Sequence, residues 1–189
     1  MLEYMRQEGV TSVMTMATTG LDSAFDQILA LYFCDLRDNS SHRLYHLVPD
    51  ELVQKSEDVH GVHVDKIHKE GLPEDKFSEA LNRLLYKAKV AVYNPSFMAG
   101  FLGKHIQEDC LMLYDLPEIY HRSLAAVAPP EEILDGAMWK PGKPRGKVSF
   151  ASVLSLSGVK VPEDPTSEPG ALKCRALASL YKSLEEVQR

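Results

Sequence analysis

The chain has 189 residues, 44% of them apolar, and a formal net charge of −6. That is enough for one domain, which at this size buries roughly 70% of its unfolded surface. It is too acidic for a general polyanion-binding surface, because affinity for nucleic acid comes largely from Lys and Arg neutralising phosphates. No segment reaches the roughly 18 uninterrupted apolar residues of a membrane span, and Met1 to Glu8 has no basic stretch leading into an apolar one. Cys34, Cys110 and Cys174 lie far apart in apolar contexts, which suits buried free thiols. These features predict a single domain over residues 1–189, with 1–10 as an N-terminal extension, in a reducing, cytoplasmic setting with no membrane partner.

In chain order, Val13, Met14 and Met16 are apolar residues of a first strand, and Gly20 supplies a turn that can use positive φ. Ile28, Leu29 and Leu31 resume the apolar run, placing a second strand over Phe25 to Leu36. Asp38-Asn39-Ser40-Ser41 is a strong turn signal before a third strand over Arg43 to Leu47, so the three form an antiparallel meander. Helical material opens at Val48-Pro49-Asp50. Glu74 to Lys87 carries Phe77, Ala80, Leu81, Leu84 and Leu85 at helical spacing. Lys89 to Tyr93 and Cys110 to Leu113 read as short strands, Glu118 to Ala126 as a helix, and Pro129 to Lys147 as a Pro/Gly loop holding Trp139.

Three stretches, in order, resemble the motifs of the DnaQ-like (DEDDh-type) 3′–5′ exonucleases. In the first, Thr18, Thr19, Gly20, Leu21, Asp22, Asp26 and Ile28 match, while the family's Asp and Glu positions hold Thr15 and Ala17. His60-Gly61-Val62 is similar to the family's His-Gly-Ile stretch. In the second motif Asn94, Phe97, Phe101 and Leu102 match, but the catalytic Asp is Met98 and the preceding His is Tyr93. Lys147 to Val159, stopped at Gly158, is similar to the helix before the third motif. There, Gly170, Ala171 and Ala178 supply small residues, Cys174 replaces an Ala, the general-base His is Leu172 and the last carboxylate is Leu177. The likeness spans Val13 to Glu186. It implies an α/β, RNase H-like domain: a mixed five-stranded sheet flanked by helices, with the last helix crossing strand one near Thr15.

The resemblance also implies the chemistry that these positions would serve. Phosphodiester hydrolysis in the family uses two divalent ions about 4 Å apart, held by carboxylates from the three motifs, with the His deprotonating water. Mg²⁺ and Mn²⁺ require hard oxygen ligands, and Ala17, Met98 and Leu177 offer none. The expectation is a lost metal site, no cofactor and no catalytic residues. His60, His63 and His68 have no Cys or fourth ligand beside them, so a solvated helix face is preferred to a zinc cluster.

The expected function is that of a catalytically inactive exonuclease-like protein, a nucleic-acid-binding or scaffold subunit of a nucleic-acid-processing assembly. The alternatives are an active 3′–5′ exonuclease with an atypical site and a purely structural protein-interaction module. Candidate nucleic-acid contacts are Thr18, Thr19, Gly20 and Leu21 on the turn, His60 and Asn94 at the rim, and Phe97 as a stacking surface. Lys140, Lys143, Arg145 and Lys147 form a second candidate, the one basic concentration in the chain. Either a single strand or 3′ end is held weakly, or a protein partner docks on the cleft or the Trp139 loop. A homo-oligomer is compatible with both.

Overall fold

In a computed structural model, residues 9–105, 111–115 and 167–186 are described. Strands β1 (Ser12–Thr18), β2 (Ile28–Asp35), β3 (Ser41–His46), β4 (Gly71–Leu72), β5 (Ala88–Val92) and β6 (Leu111–Asp115) form one sheet in the order β4-β3-β2-β1-β5-β6. β1, β2 and β3 are antiparallel neighbours, whereas β5 pairs parallel with both β1 and β6. The helices are α1 (Asp50–Gln54), α2 (Glu57–His60), α3 (Val64–Glu70), α4 (Glu74–Leu85), α5 (Pro95–Leu102) and α6 (Pro169–Glu186). The expected five strands and flanking helices are present. The two-residue β4, paired parallel with β3 at Tyr45 and His46, is an addition too short to show as a strand in sequence.

Alternation along β1 sorts its side chains onto two faces, as the period of a strand requires. Val13 and Ala17 join Leu29, Tyr32, Cys174, Leu177 and Leu180 in a core beneath α6. Met14 joins Leu31, Phe33, Phe77, Leu81, Met98 and Phe101 in a second core beneath α4 and α5. The β1–β2 register shifts between Ala17 and Thr18, which ends the regular pairing just before the turn.

α6 crosses β1 at the expected place. Thr15 Oγ1 donates to Gly170 O at 2.7 Å, and Cys174 Sγ lies 3.7 Å from Val13 O and 3.4 Å from Tyr32 O. A Cβ at Gly170 would run into the Tyr32 ring, so the second residue of the helix is a glycine where it presses on the sheet.

Besides shifts of one or two residues at other element ends, three details differ from the expectation. β2 begins at Ile28 rather than Phe25, because Asp22 and Asp26 fold residues 22–26 into a turn: Asp26 N bonds Asp22 O at 2.7 Å and Asp22 N bonds Asp26 Oδ2 at 2.9 Å. Gly20 is not among the residues at positive φ; it is needed because any Cβ there would collide with the Asp26 carboxylate. β3 starts two residues earlier than expected and ends one residue sooner. The meander turn is as read, with Asn39 at φ 63° and Ser40 N bonded to Asp38 Oδ1 at 2.8 Å. Cys110, the helix over Glu118 to Ala126, the Pro129 to Lys147 loop with its four cations, and the helix over Lys147 to Val159 lie outside the described residues. Among those described, no helix is long and apolar enough to cross a membrane.

Candidate functional site

The end of β1, the turn after it, the start of α5 and the first turns of α6 meet around a cavity of about 320 Å³. Met14, Thr15, Met16, Leu21, Tyr93, Asn94, Phe97, Met98 and Lys173 line it. Each wall has a local cause. Asn94 adopts the left-handed conformation at φ 84° and caps α5, its Oδ1 accepting from Phe97 N at 3.1 Å, with Pro95 in the first helical turn. That cap sets the direction of α5, so that Phe97 stacks obliquely on Phe101 at 4.9 Å and Met98 turns inward. The turn wall is held by Asp26, whose carboxylate accepts from Thr19 Oγ1 at 3.1 Å. Thr19 Oγ1 in turn accepts from Gln27 N at 3.0 Å.

The turn is also braced from behind. Lys104 Nζ lies 3.4 Å from Asp26 O, and His46 Nδ1 lies 3.1 Å from Ile28 O. Glu74 joins two largely buried histidines, with His46 Nε2 at 2.9 Å from one carboxylate oxygen and His105 Nδ1 at 3.0 Å from the other. Burial holds the His105 pKa below the ordinary histidine value.

The five positions that the sequence resemblance aligns with the family's carboxylates and His divide among different environments. Thr15 is in the cavity wall with its hydroxyl committed to Gly170 O. Met98 also faces the cavity but is only 5% exposed. Ala17 and Leu177 are buried in the core beneath α6, and Leu172 is half-buried. These side chains do not fit a hard divalent cation: a thioether and three hydrocarbons offer no oxygen, and the one hydroxyl is already a donor to backbone.

Of the sequence candidates, Leu21, Asn94 and Phe97 line the cavity. Thr18, Thr19 and Gly20 serve the turn itself, Thr18 Oγ1 donating to Gly20 O at 2.5 Å and Thr19 being buried. His60 is buried too; its Nδ1 accepts from Val62 N at 2.9 Å, and desolvation lowers its pKa. His63 pairs with Glu57 and His68 with Asp50, so the three histidines turn to separate partners. Lys140, Lys143, Arg145 and Lys147 lie outside the described residues. The residue that sequence reasoning missed is Lys173, the one charged side chain lining the cavity among the described residues. The available signal was its place next to Leu172, at the position of the family's general base.

A mixed sheet with this strand order, an antiparallel meander at one side and a long helix laid across β1 define the RNase H-like, DnaQ-type exonuclease fold. Solved structures share that fold. Exonuclease I from Methylocaldum szegediense matches with a TM-score of 0.60 at 16% identity, over 94% of this chain and 40% of that one. E. coli exonuclease I in complex with a dA16 oligonucleotide gives 0.58 at 14% identity, over 93% and 40%. An exonuclease I complex with SSB-Ct gives 0.59 at 14% identity, over 95% and 42%. The chain thus spans about two fifths of the length of these proteins, and at such identities the likeness shows the fold. No protein-family model matches the sequence, and no curated protein does.

Proposed function

We propose that the chain is a catalytically inactive exonuclease-like protein that holds a single-stranded nucleic-acid end without cutting it. One observation carries this reading: the cavity at the position that the resemblance gives the family's catalytic residues is open, and among the described residues its lining is largely apolar, with Thr15, Tyr93 and Asn94 as polar side chains, Lys173 as the one charge and no carboxylate. Residues of a metal-dependent site act as a unit, and loss of all of them removes the mechanism rather than slowing it. No Mg²⁺ or Mn²⁺ cofactor belongs to this reading. Leu21 and Phe97 give the cavity apolar and aromatic surface, and stacking on such groups is worth about 1 to 3 kcal/mol per base. The structures with this fold include one named for its complex with dA16 and one for its complex with SSB-Ct, which supports both a nucleic-acid and a protein partner.

The test is incubation of the purified protein with labelled single-stranded DNA or RNA and Mg²⁺ or Mn²⁺. The expected result is an intact strand, also for Ala17→Glu, since the remaining ligands would still be missing. Cleavage that EDTA stops and Lys173→Glu abolishes would overturn the proposal. Binding should be salt-sensitive, and the four cations of the basic loop can contribute at most about three units of log–log slope on a single strand. A Lys143→Glu/Arg145→Glu double variant should flatten that slope.

A protein-interaction module is the second reading, favoured by Leu21 and Phe25, both 85% exposed on one loop. It gains ground if no strand binds at low salt while Leu21→Ser/Phe25→Ser alters association state.

A further inference from the structure

Resting on the reading above, we propose that the cavity accepts a phosphorylated terminal nucleotide, the phosphomonoester being held directly by Lys173 with no divalent cation between them. Size is the first argument. At about 320 Å³ the cavity stands at the lower end of ligand pockets, which run from about 300 to 1,000 Å³. That admits one nucleotide-sized group and no duplex.

The second argument is the chemistry of the walls. The half-buried Met16 presents a soft, polarisable thioether and the half-buried Phe97 an aromatic ring, while Met14 and Met98 close the floor from the core. Such surfaces take the flat face of a base without reading its edge. Two polar groups of the wall are already engaged: the Thr15 hydroxyl donates to Gly170 O, and the Asn94 carbonyl oxygen caps α5. The one cationic anchor among the described lining residues is the exposed Lys173.

The third argument is charge. In a carboxylate-lined site a phosphate is tolerated only because metal ions stand between like charges. Here the lining carries no carboxylate among the described residues, so the single cation meets an incoming phosphate with no like charge beside it. A terminal phosphomonoester, with more than one negative charge, gains more from that cation than a terminal hydroxyl does. The same chemistry is offered by a strand end and by a free mononucleotide.

The experiment uses the full chain in EDTA at low salt, with three probes: a short single-stranded DNA ending in a 3′-phosphate, the same strand ending in a 3′-hydroxyl, and deoxyadenosine 3′-monophosphate. The 3′-phosphate strand should bind about tenfold more tightly than the hydroxyl strand, the factor supplied by one charge-assisted hydrogen bond of modest strength. Lys173→Ala and Lys173→Glu should erase that preference while thermal unfolding stays unchanged, because Lys173 lies on the exposed side of α6. Equal binding of the two strands, a preference that survives Lys173→Glu, or one that needs Mg²⁺ overturns this inference and leaves the inactive-binder reading standing. If neither strand binds, the strand-binding reading fails. In that case Lys173-dependent binding of the mononucleotide alone supports the cavity assignment with a free nucleotide as its source, and no binding of any probe overturns both.

Discussion

Met98→Asp restores the residue type that the second exonuclease motif carries, and the structure says what it costs. Met98 is 5% exposed and packs in the core beneath α4 and α5. Truncating a buried Met to Ala costs about 2 to 5 kcal/mol, and the shorter Asp leaves much of the same void, so about 2 kcal/mol is a cautious packing loss. The carboxylate adds a second penalty, since no cationic group other than Lys173 lines that cavity among the described residues. Raising its pKa by about two units, at about 1.4 kcal/mol each, costs about 3 kcal/mol at neutral pH and nothing once the group is protonated. The sum, about 5 kcal/mol at pH 7 falling to about 2 kcal/mol near pH 4, is a large share of a typical domain's stability of about 5 to 15 kcal/mol. Urea unfolding of variant and wild type at both pH values reads the difference directly. Met98→Leu, which keeps volume and adds no charge, should cost less than about 1.5 kcal/mol. A Met98→Asp protein as stable as wild type at neutral pH, or one stabilised by Mg²⁺, would refute the reasoning, for it would mean that the position still sits in a solvated or metal-competent site.

Burial is the chief cause that holds His60 and His105 below the ordinary histidine value of 6.5. The folded state therefore binds fewer protons than the unfolded one, so their contribution is complete above pH 6.5 and is lost as pH falls through the folded values. Tm measured from about pH 7.5 down to about pH 5 should fall, and a His60→Gln/His105→Gln double variant should show a shallower decline. Gly170→Ala drives a methyl group into the Tyr32 ring and should destabilise by about 1 to 3 kcal/mol in chemical denaturation. Asp26→Ala removes the acceptor of Thr19 Oγ1 and Asp22 N. It should cost about 1 to 3 kcal/mol and speed amide exchange over residues 20–27, with little change in α4.

The sheet was legible because its information is local. Val13, Met14 and Met16, the run from Ile28 to Leu31, and the Asp38 to Ser41 turn each state a period or a turn chemistry that no distant contact had to supply. The amphipathic stripe of α4 was legible for the same reason, and Phe77, Leu81 and Leu85 are its buried residues. What escaped depends on which side chains meet, within a turn as well as between distant segments. Gly20 is required by the Asp26 carboxylate, and Gly170 by Tyr32, more than a hundred residues away in sequence. Phe25 was assigned to a strand on composition, yet the hydrogen bonds of Asp22 and Asp26 outbid strand propensity and leave it exposed. Asn94 and Phe97 were legible as a helix start and as cavity residues at once, since the same cap that begins α5 aims the ring. Lys173 was missed because a motif reading asks what stands at the matching positions, whereas a cavity is lined by whatever lies beside them.

The positions that the resemblance aligns with the family's carboxylates are individually accommodated in this fold. A cage of carboxylates without its metal ions is a cluster of like charges in a low-dielectric surrounding, and its members must protonate, separate or be replaced. In this chain each has a separate local solution. The Thr15 hydroxyl ties β1 to the first turn of α6, Ala17 and Leu177 pack on the α6 side of the sheet, and Met98 packs on the other. Introducing one acid therefore removes a packing or hydrogen-bonding contact without assembling a ligand set, and the losses fall in two separate cores. On the reading proposed above, a ligand entering the cavity between them meets Lys173 with no carboxylate among the described lining residues, so charge favours an anionic group without a metal ion between.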